Sequence, residues 1–161
     1  MLQIGDIGWG IAGATEISFV FNLCLAAFLG SLLGLERSFA GKHAGMRTYA
    51  LVSLGSCLFV VLGTLASYQL SYFVGVNPLQ LAGSIIIGIG FIASGLMVFR
   101  GEHPVELTTA SGIWVVAGIG MASGFGFYLL ALTTTVIAIV IFSLFARLEK
   151  KLRVRFGAEN D

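Results

Sequence analysis

The sequence predicts an all-α fold, a polytopic membrane protein with five transmembrane helices, its N-terminus outside and its C-terminus cytoplasmic. Three observations carry that expectation: an excess of apolar residues, charge-free stretches of membrane-spanning length, and Lys and Arg confined to alternate loops. Of the 161 residues, 57% are hydrophobic and only 11% charged, with a mean hydropathy of +0.97. A soluble domain carries about 25% charged residues, so water is a poor solvent for this chain. Phe, at 13, outnumbers Tyr and Trp together, and Gly reaches 22, a mixture suited to helices packed closely in lipid.

Each element follows from length. Crossing about 30 Å of hydrocarbon takes roughly 20 helical residues. Residues 17–35, 48–70 and 79–99 form three charge-free stretches, the third preceded by the turn-like Gly75-Val76-Asn77-Pro78. The next stretch, 107–146, would make a straight helix about 60 Å long and must fold back. Gly124-Phe125-Gly126 is its natural turn, giving a fourth span over 107–123 and a fifth over 127–146. The expected organisation is a transmembrane domain over 1–146 and a basic cytoplasmic tail over 147–161.

Threading five spans assigns every loop to a side before any charge is counted. One side receives Arg37, Lys42 and Arg47, then Arg100, then Arg147, Lys150, Lys151, Arg153 and Arg155, which are all of the basic residues. The positive-inside rule makes that side cytoplasmic and leaves Asp6 and Glu16 outside. A misplaced helix would have divided the cations between the two faces. In the tail, Leu148, Leu152 and Phe156 recur every four residues among basic side chains. That pattern fits either a charged stop that orients the last span or a helix meeting anionic lipid or a partner at the inner leaflet.

Several function classes lose support at this stage. No GxSxG elbow, Walker-type loop, HExxH helix or paired catalytic carboxylate occurs, so no enzyme is expected. The hydrophobic spans lack Asp, Glu, Lys, Arg and His, whereas carriers coupled to protons or charged substrates usually place such groups mid-membrane. Glu36, Glu102 and Glu106 lie only at the cytoplasmic border, which is thin provision for a hard cation wanting several oxygen ligands. Cys24 and Cys57 sit in apolar runs as packing residues, and His43 and His103 lie in polar loops without metal-ligand spacing. The first 16 residues lack the basic flank and compact apolar core of a cleaved signal. No cofactor, metal site or nucleic-acid partner is expected.

Some residues invite specific roles. Glu36 ending the first span and Arg47 starting the second both oppose their helix dipoles. A contact between them across the hairpin would cancel the two charges; the alternative is two solvated loop charges. Thr108 and Thr109 open the fourth span, where hydroxyls cap free backbone N–H groups or meet a ligand. Small residues recur four apart at Gly30 and Gly34, Ser84 and Gly88, Gly90 and Ser94, and Gly120 and Gly124, faces that let helices approach closely within one chain or between subunits. Gly88-Ile89-Gly90 would alternatively line a pocket or break its helix, and Trp114 is expected to pack against this glycine face. A faint echo relates Gly34-Leu35, Gly41-Lys42-His43 and Thr48 to Gly95-Leu96, Gly101-Glu102-His103 and Thr108, by duplication or by chance.

Three segments taken together resemble the MgtC/SapB membrane proteins: GSLLGLERSFAGKHAGMRTYALVSLGS at 30–56, GIGFIASGLMV at 88–98 and LTTASGIWVVAGIGMASGFG at 107–126. The family pattern maps onto Glu36, Arg37, Gly45, Arg47, Thr48, Gly88, Gly90, Phe91, Gly95, Thr108, Thr109, Ala110 and Trp114. The resemblance implies a bacterial inner-membrane protein of five spans, linked to growth in low magnesium and to virulence, acting on other membrane machinery such as the proton-driven ATP synthase. Two departures stand out: Ala93-Ser94-Gly95 where the family tends to GAG, and Glu106 where a Gly usually precedes LTT. Longer members append a soluble C-terminal domain, and this chain stops before one. The expected function is that of a non-enzymatic regulator working through helix contacts, as a homo-oligomer drawn as a dimer, or with a membrane-protein partner. Its alternative is a small oligomeric channel or transporter for an ion such as Mg2+ or for a small solute.

Overall fold

A computed structural model describes residues 10–69, 77–100 and 103–156 of the chain. Helix α1 runs over Gly10–Phe39, α2 over Met46–Gln69, α3 over Pro78–Leu96 and α4 over Leu107–Gly124. Helix α5, Tyr128–Val140, passes through a π-helical turn at Ile141–Phe145 into α6, Ala146–Phe156. Five helical stretches are long and apolar enough to cross a membrane. Asp6, Gly75, Val76, Gly101 and Glu102, together with the tail beyond residue 156, lie outside the described residues.

The connections follow from local chemistry. Asn77 caps α3 by accepting the Leu79 N–H at 2.9 Å, and Pro78 supplies a fixed φ where no N–H is needed. Helix α4 ends in a Schellman motif: Gly126 adopts φ +78°, its N–H reaches Ser123 O at 3.1 Å, and the Phe127 N–H reaches Ala122 O at 2.8 Å. Gly41 closes α1 identically at φ +68°, with Gly41 N–H on Ser38 O and Lys42 N–H on Arg37 O, each at 3.1 Å. Ser38 then links the two helices of this hairpin, its Oγ donating to Gly34 O and accepting the Met46 N–H, each at 3.1 Å.

The third helix stops short of the expected 79–99. It ends at Leu96, and Val98–Arg100 pairs antiparallel with His103–Val105 as a two-stranded hairpin, β1 and β2, with Val98 opposite Val105. The all-α fold therefore carries one small β element. Arg100 is in a strand and not at a helix end. This also separates the two halves of the sequence echo, since one connection is a helix-capping turn and the other a strand pair. Gly88-Ile89-Gly90 does not break α3, which is continuous.

Helix α4 sits at the centre, in contact with α1, α2, α3 and α5. Its span is the least hydropathic of the five yet the most buried, at 56% against 11% for α3. In lipid the hydrocarbon solvates apolar side chains as well as protein does, so small size and close approach decide which helix goes inside. The core between α1, α2 and α4 is filled by Leu29, Leu33, Tyr49, Val60, Ile113, Val116 and Ile119.

Candidate functional site

The family-pattern residues of the first hairpin converge with the start of α4 and the end of α5. Helix α1 continues four residues past the expected span, which puts Glu36 and Arg37 in its last turns, where a cation suits the dipole. Arg37 is buried, 3% exposed, in spite of its charge. Its Nη2 lies 2.5 Å from Glu36 Oε2, its Nε donates to the same oxygen at 2.6 Å, and its guanidinium carbon sits 3.8 Å above the Phe142 ring. Ion pairing and a cation–π contact together answer the desolvation of that guanidinium. The partner of Glu36 is thus its neighbour Arg37 and not Arg47, which stays exposed. Adjacent residues at a helix end reach each other more easily than charges across a capped turn.

A second polar cluster opens α4. Glu106 adopts φ +68°, a left-handed conformation in which glycine is free and other residues are strained by about 1 kcal/mol. Its side chain, 11% exposed, accepts a hydrogen bond from the Thr109 hydroxyl and lies 3.6 Å from Lys42 Nζ and 3.5 Å from His43 Nδ1. The Thr109 bond, with Lys42 and His43 beside it, holds the Glu106 carboxyl below the usual carboxylate range, although burial pushes the other way. Thr109 therefore bonds a carboxylate and does not cap backbone N–H groups; Thr108 is exposed. Below this cluster Tyr49, fully buried, donates its phenol O–H to Thr109 O at 3.0 Å. Lys42, His43, Glu106, Thr109 and Tyr49 thus form a polar chain from the surface to the core.

The small residues divide into two groups. A Cβ on Gly30 would come within 2.7 Å of Ser53 Cβ, and one on Gly34 within 2.7 Å of Met46 Cα, so these two seat α1 on α2. Gly120 lies against the Ser53 backbone and Gly124 against Val60 and Cys57, seating α4 on α2. Gly88, Gly90 and Gly95, by contrast, meet nothing within 4 Å, and Ser84 and Ser94 are exposed, bonded only to carbonyls of their own helix. Phe91 is 81% exposed. Trp114, 53% exposed, does not fill the space over these glycines as expected. Gly45 packs on Ser38, and Thr48 is half-buried at the start of α2.

Two features escaped sequence reasoning. Phe142 is one of many apolar residues in its span, and only the π turn brings it under Arg37. Asn22, 5% exposed, accepts the Tyr128 O–H at 2.8 Å and ties α1 to the start of α5, with Phe21 edge-on to the Tyr128 ring at 5.6 Å. An amide inside an apolar run was the available signal. Among the described residues no group of three or more His, Cys, Asp or Glu could hold a metal ion.

Five apolar helices around a tightly packed glycine-bearing centre, with ion pairs gathered at one end, define a multi-pass bacterial inner-membrane protein. The chain belongs to the MgtC family, whose model matches residues 23–151. Among its relatives, "Putative magnesium transporter YhiD" of Escherichia coli K12 is 37% identical over 136 residues, covering 83% of this chain and 63% of that protein. "Protein SapB" of Bacillus subtilis is 34% identical, covering 68% of this chain and 48% of SapB. "Protein MgtC" of Salmonella typhimurium LT2 is 35% identical, covering 74% of this chain and 48% of MgtC. The chain thus spans 48–63% of the length of these three relatives. No solved structure matches it significantly.

Proposed function

We propose that this chain is a non-enzymatic regulator of the bacterial inner membrane, acting through helix contacts in cells adapting to low magnesium. The observation that carries this reading is the open, small-residue surface of α3. Gly30 and Gly34 on α1, Gly63 on α2, and Gly112, Gly120 and Gly124 on α4 are closed by the chain's own packing. On α3, Gly88 and Gly95 with Ser84 on one side, and Gly90 with Ser94 on the other, are left open to a neighbouring helix. Small-residue faces are the usual means by which membrane helices associate. On this reading the surface takes a second copy, giving a dimer, or another membrane protein. The basic loops lie in the cytoplasm and the N-terminus outside.

Membership of the MgtC family and the word magnesium in the name of one relative support the physiological setting. Direct chelation by the border carboxylates has less support, because Glu36 is already paired with Arg37 and Glu106 with Lys42. Crosslinking from native membranes with a photoreactive group at Gly88 or Gly90 tests the proposal. Capture of a second copy or of a defined membrane complex is the expected result; recovery of lipid adducts alone would overturn it.

A second reading, a small channel or transporter for an ion such as Mg2+ or a solute, draws on the cavity of about 540 Å3 between α2 and α3, lined by Ser56, Ser84 and Gly88 among apolar residues. The packed centre of the bundle directs any such path between subunits. Purified protein in liposomes separates the two: a specific flux abolished by Gly88→Leu favours transport, and its absence favours regulation.

A further inference from the structure

The end of α1 meets the π turn through Arg37 and Phe142, but beside that contact α1 and the segment from the π turn into α6 stand apart. They leave a cleft of about 460 Å3 lined on one side by Leu32, Leu35, Glu36 and Phe39, and on the other by Phe142, Ser143 and Arg147. Its chemistry is divided. Leu35, Phe39 and Phe142 make an apolar wall at the depth where the helices leave the hydrocarbon, and Arg147 stands at the mouth. Glu36 adds no free negative charge, because its carboxylate is held by Arg37 at 2.5 Å. Arg37 is in turn committed to that carboxylate and to the Phe142 ring. Among the described residues Arg147 is thus the cation of this cleft that forms no ion pair.

The π turn at Ile141–Phe145 builds this arrangement. It holds one residue more than an α turn, and each helical residue rotates the chain by about 100°. Residues from Ala146 onward are turned by that amount relative to an uninterrupted helix, so that Arg147 borders the α1 end. Helices α5 and α6 with the π turn run continuously over Tyr128–Phe156, about 43 Å, longer than the hydrocarbon core. Arg147, some 19 residues along that run, therefore lies at the level of the phospholipid headgroups.

We propose that this cleft is a binding site for an anionic phospholipid, with the phosphate at Arg147 and one acyl chain against Leu35, Phe39 and Phe142. A zwitterionic lipid fills the apolar half equally well but brings its own cation to the Arg147 end. The proposal is independent of whether the chain regulates or transports.

The test uses the whole chain, delipidated in neutral detergent, offered phosphatidylglycerol or phosphatidylcholine of matched acyl chains and read by native mass spectrometry. Phosphatidylglycerol is expected to be retained about fivefold better, the worth of one interfacial cation. Arg147→Gln removes that preference, whereas Lys151→Gln, an exposed basic residue outside the cleft, leaves it close to wild type. Leu35→Trp, or Ser143→Phe if the first variant fails to fold, fills the cleft and lowers retention with every charge in place. Equal retention of the two lipids by the unaltered chain would overturn the site. So would equal losses in Arg147→Gln and Lys151→Gln, the mark of a diffuse basic surface, or full retention once the cleft is filled.

Discussion

Arg37 and Glu36 sit side by side near the membrane edge, and their value depends on each other. Removing one partner of a buried pair strands the other, at about 3 kcal/mol. Arg37→Met should therefore lower the melting temperature in detergent sharply, while Glu36→Gln combined with Arg37→Met should recover part of the loss. A double variant no better than the single would mean that the Phe142 contact, and not the carboxylate, fixes the guanidinium. Glu106 has a different dependence. Its carboxyl is depressed in the folded chain by Thr109 and Lys42, so its contribution is present above the unfolded value of about 4.3 and is lost as pH falls through the folded value. The stability gap between the natural chain and Glu106→Gln should be steady at neutral pH and shrink below about pH 4. A gap unchanged down to pH 3 would contradict the ion cluster. The left-handed φ at this position is one that glycine adopts freely, and Glu106 offsets the strain with three polar contacts.

At the scale of the helices, the glycines provide the sharpest contrast. Gly120→Ala forces a Cβ into the Ser53 backbone, so α2 and α4 must separate, at about 1–3 kcal/mol. Gly88→Ala meets nothing within 4 Å, and the monomer should be unchanged or gain up to about 1 kcal/mol from helix propensity. Thermal melts of the two variants check this directly, and a strongly destabilised Gly88→Ala would mean that α3 is packed in a way the open surface does not suggest. Both glycines belong to small-residue repeats that look alike in the sequence. Spacing places such residues on one side of a helix, but it carries no information about which neighbour arrives there. The turns are different in kind: Asn77-Pro78 and Gly124-Phe125-Gly126 were legible because a cap and a positive φ are satisfied within a few residues.

At the scale of the whole chain, the ion pairs bring the end of α1, the start of α4 and the π turn to one end of the bundle, while Asn22 and Tyr128 meet toward the other. Up-and-down threading demands this arrangement. With single cysteines, Lys42→Cys and Lys150→Cys should react with an impermeant maleimide from the same face, and Asn77→Cys from the opposite one. Labelling of the first two from opposite faces would break the threading. The sequence alone determined the solvent, the number of spans and the loops that share a side, because these depend on sums of hydropathy and charge along the chain. It also identified Glu36 and Thr109 as notable, but not their partners. Which helix is central, which glycines are occupied and which acid neutralises which base were decided only by tertiary structure. In lipid every apolar face is equally soluble, so the choice among neighbours rests on shape and on a few hydrogen bonds between residues far apart in the chain.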